Sequence, residues 1–61
     1  MIEYNVPPET SQVSSFENVE AYSVIDESWE MVPGKYVRKF WLYPDGTDGG
    51  GGYGEYIKWR K

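Results

Sequence analysis

The chain contains neither cysteine nor histidine, and at 61 residues that absence decides what can hold it together. A domain of about this size buries only roughly 60% of the surface its unfolded form exposes, and small domains commonly make up the shortfall with disulfides or a structural metal. Disulfides and the usual zinc ligands are missing here, which leaves aromatic packing or self-association. Three Trp, six Tyr and two Phe supply large apolar areas whose polar ends tolerate a half-buried position. The sequence therefore predicts one small domain over 1–61 with an aromatic core, and a homodimer through an edge strand is compatible with it.

Charge is divided along the chain. Glu3, Glu9, Glu17, Glu20, Asp26, Glu27 and Glu30 stand in residues 1–32 without a base, while all six bases and three acids follow, so the halves carry −7 and +3. Such a division suits an acidic segment folded against a basic one, or two surfaces for different partners. No run approaches the roughly 18 apolar residues of a membrane span. The opening MIEYNVPPETSQ also lacks the basic start and apolar middle of an export signal, so the expectation is a cytoplasmic protein with no membrane partner.

Local patterns predict a mainly β fold. Ile2, Tyr4 and Val6 alternate before Pro7-Pro8, as in a short strand or an extended arm over 1–15, and residues 7–15 read as a polar linker. Ser14-Ser15-Phe16-Glu17 has capping-box spacing, and Phe16, Val19 and Tyr22 recur at intervals of three, which allows a short helical turn near 14–22. From Ala21, AYSVIDESWEMV reads as a strand with a bulge near Asp26-Glu27. Val32-Pro33-Gly34-Lys35 has turn chemistry. KYVRKFWLYP is then the clearest strand and YGEYIKWRK the last, joined by a flexible glycine-rich hairpin loop over 45–52. The result is a small antiparallel three-stranded meander, to which the N-terminal segment adds a fourth strand or the helical turn.

If the last two strands pair across that loop, alternation places Tyr36, Phe40, Leu42, Ile57 and Trp59 on one face. Lys39, Trp41, Tyr43, Tyr56, Lys58 and Arg60 fall on the other, with Tyr53 at the loop's edge. The first set predicts a core, and Arg38 lies opposite Trp59 for a cation–π contact. The second predicts a binding surface, to be neutralised from within if Asp26, Ser28 and Glu30 lie beside it.

Catalytic and cofactor motifs fail on context. Gly49, Gly51 and Gly54 satisfy G-x-G-x-x-G, but the segment after them reads as strand, and a dinucleotide site needs a helix there. Asp45, Asp48 and Glu55 lack the spacing of a calcium loop. Without His or Cys, a domain this small has little interior in which to activate a nucleophile or a base. The expectation is thus a protein that is not an enzyme, with no cofactor and no metal.

The leading functional reading is an interaction protein that binds another protein through Lys39, Trp41, Tyr43, Tyr53, Tyr56, Lys58 and Arg60, since Trp, Tyr and Arg are enriched at binding hot spots. In a variant of that reading it is an acidic inhibitor or antagonist whose contact is Asp26, Glu27 and Glu30. The alternative is single-stranded nucleic-acid binding by the basic and aromatic face of the last two strands.

Overall fold

The computed structural model describes residues 2–61. It is mainly β and antiparallel, as the sequence predicts, with β1 (Glu3–Tyr4), β2 (Asn18–Ser23), β3 (Ser28–Pro33) and β4 (Tyr56–Arg60) in one sheet and a single helix, α1 (Gly34–Lys39). The N-terminal strand supplies the fourth member. Spatial order is β1-β4-β2-β3, so the last strand in the chain lies inside the sheet.

The segment over 21–32 is not one strand with a bulge; it reverses completely. β2 pairs with β3 from Asn18↔Pro33 to Ser23↔Ser28, and residues 24–27 form the turn. The Ser23 hydroxyl accepts the Asp26 N–H at 3.0 Å, and Glu27 takes a left-handed φ of 54°. Both features close a turn, although Val24 and Ile25 give its sequence the look of a strand. The place allotted to a helical turn near 14–22 is largely β2.

The second correction concerns KYVRKFWLYP. Its first half is helix. Gly34, Val37 and Trp41 are all buried, and their spacing of three and four puts them on one helical face toward the sheet. Arg38 and Lys39 lie in the last turn, where cations suit the carbonyl end of a helix. Because its helical half leaves the sheet and Trp41 keeps only an isolated parallel bridge to Tyr56, β4 pairs instead with β2 and β1, and the strands do not follow one another in chain order.

A register shift at Tyr22/Ser23 places Ser23 opposite Tyr56 and Tyr22 opposite Lys58, so Ile57 is skipped. That bulge turns both Tyr56 and Trp59 into the core, which simple alternation forbids. The core consists of Val13, Val19, Ala21, Val32, Val37, Trp41, Tyr56 and Trp59. Tyr4 stacks on Trp59 with ring centroids 4.4 Å apart, and the Trp59 indole N–H donates to the Val6 carbonyl at 2.8 Å.

Residues 7–15 are packed rather than a bare linker, with Pro8 and Val13 fully buried. The Arg38 guanidinium holds them, donating to the carbonyls of Pro8 at 3.4 Å and Val13 at 3.1 Å and to the Ser15 hydroxyl at 3.0 Å. The cation expected over Trp59 is therefore used to fasten backbone.

Candidate functional site

The core occupies one side of the sheet. On the other side, Tyr22 of β2, Trp29 and Met31 of β3, and Lys58 and Arg60 of β4 form an open face. The Arg60 guanidinium lies 3.9 Å from the Trp29 ring centroid, and Lys58 Nζ lies 5.1 Å from that of Tyr22. Tyr22 and Trp29 meet edge to face at 5.6 Å. Acids already engage the two bases: Arg60 bonds both carboxylate oxygens of Glu20, at 3.2 and 3.3 Å, and reaches Glu3 at 3.6 Å. Lys58 stands 4.0 Å from Glu3. Neutralisation of this face thus comes from Glu3 and Glu20, and not from Asp26 and Glu30.

The seven side chains expected on one binding face are distributed over three environments. Lys58 and Arg60 lie on the open face. Trp41, only 1% exposed, and Tyr56 are core residues, because Trp41 follows a helix and Tyr56 precedes the bulge. Lys39, Tyr43 and Tyr53 lie on the helix and the loop after it, exposed to solvent. What the sequence reading missed is Tyr22 and Trp29, whose partners on β4 become visible only once β4 is placed beside β2.

β3 is also an edge strand. The Gly34 N–H donates to the Glu17 carbonyl at 2.8 Å, which continues the register of β2 and β3. Hydrogen-bonded pairs in an antiparallel ladder alternate, so Val32, Glu30 and Ser28 bond to β2 while the N–H and C=O of Trp29 and Met31 point away from it. Among the described residues no backbone group outside the sheet bonds to either one. Met31 is 63% exposed beside this bare edge.

Acids gather at the end of the β2–β3 hairpin. Carboxylate oxygens of Asp26, Glu30 and Glu55 lie within 4.8 Å of one another, and Ser23 Oγ donates to Glu55 at 2.8 Å. Among the described residues, none of these three nor Glu27 has a basic partner. Hydrogen bonding with the Asp26 carboxyl raises the Glu30 pKa above the usual glutamate range, with burial and the charges of Asp26 and Glu55 adding to it. Burial first, then the nearby charges of Glu55 and Glu30, pushes the Tyr56 phenol up to about 12. Three carboxylates form a hard-cation donor set, short of the six to eight oxygens calcium takes.

The glycine-rich segment does not join paired strands. It folds back under the C-terminal end of α1, where the Gly51 N–H donates to the Lys39 carbonyl at 3.0 Å. Asp48 Oδ1 accepts the N–H groups of Gly50 at 2.6 Å and Gly52 at 3.4 Å. Asp45 accepts the Thr47 hydroxyl at 2.7 Å, a bond that holds its carboxyl below the usual aspartate range. A Cβ on Gly49 would stand 1.8 Å from the Arg38 carbonyl oxygen, so only glycine allows this approach. The acids considered for calcium from sequence instead bond the loop (Asp45 and Asp48) or join the hairpin cluster (Glu55).

No described helix is long and apolar enough to cross a membrane. Compared with known protein families, curated proteins and solved structures, the chain matches none.

Proposed function

We propose that this chain is a non-catalytic module that binds another protein through the open sheet face and the edge of β3, as an acidic inhibitor or antagonist would. The observation that carries this reading is the edge itself. Trp29 and Met31 present both their side chains and unpaired backbone groups at one margin of the sheet, a surface to which an extended segment can add as a strand. Asp26, Glu27 and Glu30 follow at the hairpin end and would receive basic side chains of the partner, supplying specificity and speed of encounter. Lys58 and Arg60 hold the rings of Tyr22 and Trp29 in place. Since Glu3 and Glu20 already engage those two bases, this face favours a protein over a polyanion.

Capture of partners from the source cell by the wild-type chain and by Trp29→Ala and Met31→Lys variants tests the reading. The expected result is one retained protein whose hydrogen-exchange footprint covers β3, with affinity reduced about 30-fold or more by Trp29→Ala, as for a hot-spot residue. Equal retention by all three proteins, or a footprint that avoids β3, would overturn it.

A further inference from the structure

A second surface lies on the layer that covers the other side of the sheet. Tyr36 and Phe40, one helical turn apart, stack with centroids 6.2 Å apart and planes 16° from parallel. Phe40 and Tyr53 continue the row at 4.8 Å and 25°. Lys35 Nζ bridges from Tyr36, at 5.0 Å, to Phe16, at 5.6 Å, and Lys39 Nζ stands 5.7 Å over Phe40. Phe16 is 84% exposed and Tyr53 50%, so the ends of the row face solvent. Its middle is anchored, because Phe40 packs against the core and Gly51 sits so close to its ring that a Cβ there would be 2.5 Å away.

From this geometry we infer that the row formed by Phe16, Lys35, Tyr36, Lys39, Phe40 and Tyr53 is a binding site for single-stranded nucleic acid. Tyr36, Phe40 and Tyr53 cover one another, so the faces left for bases are those of Phe16 and the outer side of Tyr53, where a base stacks whatever its sequence while the neighbouring cations meet the phosphates. The charges are available. Lys35 and Lys39 take part in none of the ion pairs among the described residues, in contrast to Lys58, Arg60 and Lys61. An acidic protein segment would satisfy the two ammonium groups but would leave the exposed faces of Phe16 and Tyr53 without planar partners, which favours nucleobases. The site shares no residue with the sheet face proposed above, and either can fail without the other.

Titration of the labelled protein with an oligothymidylate of about a dozen nucleotides, followed by amide chemical shifts at low salt, tests the assignment. The shifts should centre on Phe16, Lys35, Tyr36, Lys39 and Tyr53. Affinity should fall with salt at a log–log slope of about −1.4, the release expected from two phosphate contacts on a single strand. Tyr53→Ala should weaken binding about tenfold or more with the circular dichroism unchanged, and Tyr53→Phe should restore it. The double variant Lys35→Gln, Lys39→Gln should abolish the salt slope. Absence of shifts, shifts confined to Lys58 and Arg60, wild-type affinity in Tyr53→Ala, or equally tight binding of an oligoglutamate of matching charge would each overturn the inference.

Discussion

Replacing Trp41 separates the fold described above from the surface role that strand alternation assigns to this residue. The side chain is 1% exposed and lies among Val13, Val37, Tyr56 and Trp59 in the core cluster. Truncating a buried tryptophan to alanine typically costs about 3–5 kcal/mol, from lost transfer energy and the cavity left behind. A domain of this length has a total stability of roughly 3–9 kcal/mol at typical values per residue. Trp41→Ala should therefore remove at least about a third of that stability, and all of it at the low end of the range. Trp29→Ala is the matched comparison. It loses the cation–π contact with Arg60, about 0.5–1 kcal/mol, and the edge-to-face contact with Tyr22, about 0.5–1.5 kcal/mol, and leaves no internal cavity. Urea titrations read by far-ultraviolet circular dichroism measure both. With a slope near 1 kcal/mol/M for a small domain, Trp41→Ala should shift the midpoint by about 3 M or more, and Trp29→Ala by about 1–2.5 M. If Trp41→Ala kept its midpoint, or lost less than Trp29→Ala, the burial of Trp41 and the helix that produces it would both be refuted.

Other perturbations address other parts of the molecule. Gly49→Ala should drive the loop off the end of α1 at a cost of about 1–3 kcal/mol and expose the Gly51 amide to exchange; unchanged protection of that amide contradicts the close approach. Arg38→Met keeps the apolar stem but deletes three hydrogen bonds to residues 8–15, and should cost about 1.5–3 kcal/mol in the same urea assay, whereas wild-type stability would mean that these bonds contribute nothing. Tyr56 should be the phenol that ionises near pH 12 in an absorbance titration. Its unfolded form releases the proton near the ordinary tyrosine value of 10.0, so the folded state alone holds it between these values and stability should fall as pH rises through that window; a Tyr56→Phe variant with the same alkaline loss argues against it. Glu30→Gln should raise stability at neutral pH by removing one of three clustered carboxylates. The gain should fade as acid protonates Glu30 in the wild type, while a loss at neutral pH would mean that the cluster is not repulsive.

The class of this fold is legible in its sequence because Tyr, Val and Trp alternate with polar residues over much of the chain. The strand inventory is less so, for reasons that can be named. KYVRKFWLY holds the residue types of a strand, and only the spacing of Gly34, Val37 and Trp41 betrays the helix, a signal of three positions against nine. The turn at 24–27 is hidden by Val24 and Ile25, exposed apolar residues that most turns would not use. Pairing of β4 with β2 and β1 is a long-range choice that no local pattern encodes, and it decides the site: β2 brings Glu20 to Arg60 and Tyr22 to Lys58, and β1 brings Glu3 to Arg60. Gly49 has the look of slack in the sequence because its close approach to the Arg38 carbonyl oxygen leaves no mark on composition.

The interior place of β4 has a consequence for the order of assembly. β2 and β3 form a hairpin from neighbouring residues and can associate as soon as both exist. β1 has β4 as its partner in the sheet and must wait for a strand more than fifty residues later. Closing so long a loop before any contact rewards it is slow. On a ribosome, the first strand made would be the last to be paired, and until then the backbone of β2 that will meet β4 remains open to any extended chain nearby.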